Sequence, residues 1–237
     1  MSSELENRIL ELENELKKLK EGKKSFGFSS VTDEVLETLF TVERIDDKSK
    51  FDNWFNNNLE IDSKTVDTLK NLIEREENFI FDYQEEDLKV YFIAPILNLV
   101  DFRLPEKKIR GFYEQRLNYS NSRGTLNGTV DFVVAKGRKT AIKPLFFIQE
   151  FKQKVGGSDP EPQLVAELIS AVEINSWKEI KGAFIIGNDW KFIILEKVAE
   201  NSYRYFVSKH FDSIKIDDLK AIFKNLLFVK DEIQNLD

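Results

Sequence analysis

The sequence predicts an α/β protein, a central mixed β-sheet flanked by helices, with a helical and coiled-coil extension at its N-terminus. Three observations lead there. Apolar residues in the first half recur at helical spacing, whereas after Pro105 the segments shorten, fill with Val, Ile, Phe and Tyr, and are parted by turn residues. Pro144-Leu-Phe-Phe-Ile-Gln-Glu-Phe-Lys152 is apolar on both alternating faces, as a central strand covered by helices must be. Leu5, Ile9, Leu12, Leu16 and Leu19 follow the alternating four- and three-residue spacing of a heptad seam. The chain is accordingly divided into a coiled-coil helix over 1–24, a helical extension over 25–84 and a main domain over 85–237.

The heptad segment is short for an isolated helix, so it either self-associates or docks on its own domain; the first makes the protein a homo-oligomer. Ser29-Ser-Val-Thr-Asp33 offers N-caps for a helix with Val35, Leu36, Leu39 and Phe40 as its stripe. The stretch 44–58 is polar and Asn-rich. Helical spacing returns at Val66, Leu69, Leu72 and Ile73, and again over 85–99, where Pro95 should kink or divide the helix.

Strands are expected over 112–119, 128–135 and 144–152, with turns at 121–124 and 136–139. Asp159 and Pro160 then read as N-cap and first turn of a helix running to about Asn175. Strands over 182–186, 191–195 and 203–207 precede a last helix over roughly 217–227.

Composition removes several chemistries. With no Cys and one His (His210), the chain has no disulfide scaffold, no Cys nucleophile and no thiolate or multi-His zinc site. Any bound metal must be held by oxygen. The longest apolar runs, such as Val90-Tyr-Phe-Ile-Ala-Pro-Ile-Leu97, fall far short of the roughly 20 residues of a membrane span, and the charged N-terminus is unlike a signal peptide. The expectation is a cytoplasmic protein without a membrane partner. A net charge of −7 argues against a uniformly basic nucleic-acid binder, yet residues 110–154 carry nine Lys or Arg against three acids. Those cations either line a solvated hairpin rim or hold phosphates.

Two acids stand out because each interrupts an apolar strand. Asp131 lies among Val130, Phe132, Val133 and Val134. Glu150 and Lys152 end the both-faces-apolar strand, where a charge is costly unless paired or used. Pairing the two strands about the 136–139 turn brings Asp131 beside Glu150. Carboxylates held so close repel, and a divalent cation relieves that repulsion. The plain alternative is a buried ion pair of Glu150 or Asp131 with Lys152 or Lys154.

Gly128-Thr-Val-Asp131, eighteen residues, then Glu150-Phe-Lys152, followed by a loop and a helix, resembles the PD-(D/E)xK nuclease superfamily. Other acid-x-Lys pairs, such as Asp46/Lys48 and Asp189/Lys191, lack that context. The resemblance implies a restriction-endonuclease-like fold over 85–237 and Mg²⁺-dependent hydrolysis of DNA, with Mn²⁺ able to substitute. It makes Asp131 and Glu150 metal ligands, Lys152 the residue that positions the attacking water, and Gln163 a helix residue pointing into the site. A Glu on a preceding helix, as some members carry, points to Glu86. Val130 stands where the family's eponymous Pro would be. Arg123, Lys136, Arg138, Lys139 and Lys154 are the candidate phosphate-binding cations. The competing reading is a catalytically silent nuclease-fold module that binds nucleic acid or serves as an oligomeric interaction unit. His210 and nearly all the aromatic residues are read as structural.

Overall fold

The computed structural model of the chain describes residues 24–156 and 159–236, so the heptad seam lies outside the described residues. In chain order the elements are β1 (Lys24–Gly27), α1 (Asp33–Leu39), β2 (Thr41–Ile45), α2 (Asp52–Phe55) and α3 (Ser63–Glu76). A helical rod follows, built of α4 (Glu85–Asp87), a π-helical turn (Leu88–Ile93) and α5 (Ala94–Val100). Then come β3 (Ile109–Ser120), β4 (Gly124–Lys136), β5 (Ile142–Lys152) and α6 (Pro160–Asn175). The chain continues through β6 (Glu179–Ile186), β7 (Asp189–Ala199), β8 (Ser202–Val207), β9 (Phe211–Asp212) and α7 (Ile216–Asn235).

The nine strands among the described residues join one mixed sheet. β3, β4 and β5 form an antiparallel meander. The crossover through α6 then lays β6 parallel to β5, and β7 and β8 extend the sheet antiparallel. Helix-covered faces explain the unbroken apolar runs. One face, with Phe132, Phe147, Phe151 and Trp190, packs under α2, α3, the rod and α7 through Trp54, Leu69, Phe92 and Leu226. The other, with Val133, Ile148 and Ile193, packs under α1 and α6 through Leu36, Leu39, Leu164 and Leu168. α6 is buried at every residue from Pro160 to Val172, which is why its sequence shows little amphipathic contrast.

Four expectations change. Residues 25–84 are no separate helical extension. β1 pairs parallel with β4, β2 parallel with β8, and Phe28, Phe51 and Trp54 are core. These two strands are four and five residues long and lie at sheet margins, too short and too polar for alternation to register. Second, the strain expected at Pro95 is taken up one turn earlier. Pro95 offers no N–H, and the π-turn before it shifts the bonding so that Ala94 N–H reaches Lys89 O. Third, strict alternation along β5 fails, because the β4–β5 pairing shifts register on either side of Ala135. Phe146 therefore joins the Phe147 face, while Ile148 joins Leu145 on the other. The last helix also runs further than expected, to Asn235.

Among the described residues no helix is long and apolar enough to cross a membrane.

Candidate active site

The meander brings the two isolated acids together. Phe132 pairs with Gln149, so the next register position sets Asp131 against Glu150. Asp131 Oδ2 accepts the Phe151 N–H at 2.7 Å. Glu150 is 1% exposed; one of its oxygens takes the Lys152 ammonium and the other, Oε2, has no hydrogen-bond partner among the described residues. Lys152 Nζ also lies 3.7 Å from Glu85 Oε2. The expected alternative of a Glu150–Lys152 ion pair is thus present in the structure, but it satisfies only half of the Glu150 carboxylate.

α6 supplies the roof. Gln163 is buried, and its Nε2 donates to Glu167 Oε1 at 3.1 Å across one helical turn. Glu167 is fully buried and has no cationic partner among the described residues; its Oε2 has no hydrogen-bond partner. The sequence reading missed it, although position 167 shares a helix face with Gln163.

Burial and mutual repulsion set the protonation of this cluster. Burial is the main cause that lifts the Asp131 carboxyl, offset in part by the Phe151 N–H and Lys152. Glu150 is lifted further, by burial first and then by Asp131, to about 8. Glu167 is raised well above the ordinary carboxylate range by burial, with Glu150 the next cause. Burial works against the Lys152 charge, but Glu150, Glu85 and Asp131 outweigh it and hold the ammonium protonated. Carboxylates that destabilise one another in a dry site store energy that a cation can release.

The helical rod presents Glu85 to the site, not Glu86. Glu86 instead pairs with Lys89 at 2.6 Å, and Lys89 also reaches Glu114 at 2.7 Å. Consecutive helix residues diverge by roughly 100°, so choosing the neighbour turned the wrong carboxylate inward. Glu114 has a left-handed backbone (φ 53°) at the place in the β3–β4 ladder opposite Asp131, and its charge reaches Asp131.

The five candidate phosphate-binding cations scatter. Lys154 follows β5 near the site and ion-pairs with Asp189, which also accepts from His210 at 2.7 Å. Arg123, in the β3–β4 turn, points Nη1 to Leu39 O at 3.4 Å. Lys136, Arg138 and Lys139 stand at the other end of the β4–β5 hairpin; Lys136 is five residues from Asp131, about 17 Å at the rise of a strand.

The donor set suits a hard cation. It offers carboxylate oxygen only, with one buried oxygen of Glu150 left without a partner beside Asp131. Among the described residues no three such side chains converge tightly enough to enclose an ion unaided. One or two carboxylates completed by water is the usual Mg²⁺ arrangement, and these residues fit it.

Compared with known proteins, the chain matches no family model and no curated protein.

Proposed function

We propose that this chain is a metal-dependent nuclease of the restriction-endonuclease-like fold, hydrolysing DNA phosphodiester bonds at Asp131, Glu150 and Lys152. The observation that carries the reading is the pair of buried, adjacent carboxylates with an unpartnered oxygen and an ammonium two residues along the same strand. The order of elements supports it: a helix, a three-stranded meander bearing both acids, a crossover helix, and a strand parallel to the last.

In this reading Asp131 and Glu150 hold Mg²⁺, or Mn²⁺ in its place, which when bound acidifies a water and offsets charge on the phosphate oxygens. The chain's own residues do the rest. Lys152, held by Glu150 and Glu85, orients the attacking water and places a positive charge beside the phosphoryl oxygens as negative charge accumulates on them. Glu167 accepts from the amide of Gln163 and so leaves the Gln163 carbonyl oxygen as the free end of that side chain. Packing under α6 keeps the carboxylates buried, which strengthens each of these interactions.

The test is cleavage of linear, circular and single-stranded DNA with Mg²⁺ and then Mn²⁺, comparing the intact protein with Asp131→Ala and Lys152→Ala. Metal-dependent cutting that falls at least about 100-fold in both variants supports the reading. The absence of cutting, together with no metal-dependent rise in melting temperature, overturns it in favour of a silent interaction module.

A further inference from the structure

The cations that stand away from the candidate site surround a cleft of their own. Between the C-terminal end of α7, the start of β5 and the turn after α6 lies a space of about 540 Å³, walled by Phe146, Trp177 and Ile233 and bordered by Lys107, Lys108 and Lys136. Phe146 and Trp177 meet with ring centroids 5.7 Å apart at a tilt of 53°. Trp54 and Trp190 are buried at 2% and 0% exposure, so Trp177 is the one tryptophan that reaches solvent. Among the described residues Glu106 is the single acid on this wall.

Lys107 is engaged with the backbone carbonyl of Leu236. Lys108 and Lys136 are exposed and make no ion pair among the described residues, and the same holds for Arg138, Lys139 and Lys143 beside them. Five cations without an ion pair among the described residues make this end more basic than the chain as a whole, whose net charge is −7. An aromatic wall flanked by free ammonium groups has the two elements that recognise a nucleotide unit: a surface on which a base stacks and charges that hold its phosphates. The cations continue past the cleft along the 138–143 turn, further than one mononucleotide extends.

We infer that this cleft is an anchoring site for a nucleic-acid strand, with a base against Trp177 and the backbone on Lys108, Lys136 and the 138–143 turn. It rests on the nuclease reading for the choice of polynucleotide, and it adds a second contact about 17 Å along the hairpin from Asp131. A strand held there is tethered while the scissile bond is presented at Glu150 and Lys152.

The experiment is binding of a fluorescently labelled ten-nucleotide oligothymidylate to the full chain in EDTA, followed by anisotropy and by tryptophan emission. The expected result is saturable quenching of Trp177 that tracks the anisotropy and vanishes in Trp177→Leu. Lys108→Ala/Lys136→Ala should weaken binding about tenfold and flatten the salt dependence by about 1.4 in log–log slope. Unchanged affinity in that variant, or oligonucleotide binding without quenching, overturns the anchoring site. Thymidine monophosphate binding as tightly as the oligonucleotide overturns it in favour of a mononucleotide pocket. Metal-dependent cleavage measured alongside separates the two proposals. Cutting without binding at Trp177 removes only the anchoring site, whereas loss of both removes the nuclease reading as well.

Discussion

Glu150→Gln should make the metal-free protein more stable at alkaline pH, against the usual outcome of removing half an ion pair. Burial and Asp131 raise the Glu150 carboxyl from an ordinary 4.5 to about 8. Its folded-state value therefore lies above the unfolded one. The group's contribution to stability is complete below about 4.5 and is lost as pH rises through about 8. At about 1.4 kcal/mol per decade the ceiling is a few kcal/mol. Replacing the carboxylate also leaves Lys152 with Glu85 and the charge of Asp131 only, which takes back part of that gain. A net stabilisation of about 1–2 kcal/mol remains, or roughly 2–8 °C in Tm for a domain of this size. Thermal melts in EDTA at pH 8 and pH 5 read it out. The increase should appear at pH 8, nearly disappear at pH 5 where the native carboxyl is already protonated, and be accompanied by loss of the Tm rise expected of the parent in Mg²⁺. A fall in Tm at pH 8 would show that the Glu150–Lys152 pair is a structural ion pair and refute the stored repulsion.

Other outcomes follow from the same geometry. Glu85→Gln should reduce metal-dependent cleavage several-fold by releasing Lys152, while Glu86→Gln, whose partner is Lys89, should leave it within about twofold; the opposite order in initial rates would restore Glu86 as the inward-facing acid. Glu167→Ala should raise the Mg²⁺ concentration needed for half-maximal cutting as much as Gln163→Ala does, and the double variant should add little, whereas full additivity would mean that the two act independently. Trp54→Ala, in the stretch expected to be an extension, should destabilise the whole domain by about 3–5 kcal/mol in a single denaturant transition. Two separate transitions would mean that residues 25–84 fold apart from the sheet.

Most of the strand and helix order after residue 84 was legible because periodicity and turn chemistry are local. Gly124 closes the β3–β4 turn, Asp159 N-cap geometry with Pro160 opens α6, and Asp131 and Glu150 stand out as acids within apolar strands. The neighbourhood of those two acids was legible too, since strands joined by a short connection pair with each other, although the register shifts beside Ala135 were not legible. β1 and β2 were not, because their stability comes from parallel partners about a hundred or more residues away in the chain, Gly124–Asn127 and Ser202–Phe206. Glu85 and Glu167 were missed for a related reason: each is one of several acids on a helix, and only packing decides which of them meets Lys152 or Glu150.

The sequence by itself determined the α/β class, the lack of any Cys and of all but one His, and the nearness of Asp131, Glu150 and Lys152. These depend on residue type, on period and on one short turn. The tertiary structure alone decided that the N-terminal strands complete the sheet, that α6 brings a third buried carboxylate, Glu167, to the Asp131–Glu150 pair, and that the basic turn lies a hairpin's length from the acids. Such facts depend on which distant surfaces exclude water from one another, a property of the packed chain and not of any segment within it.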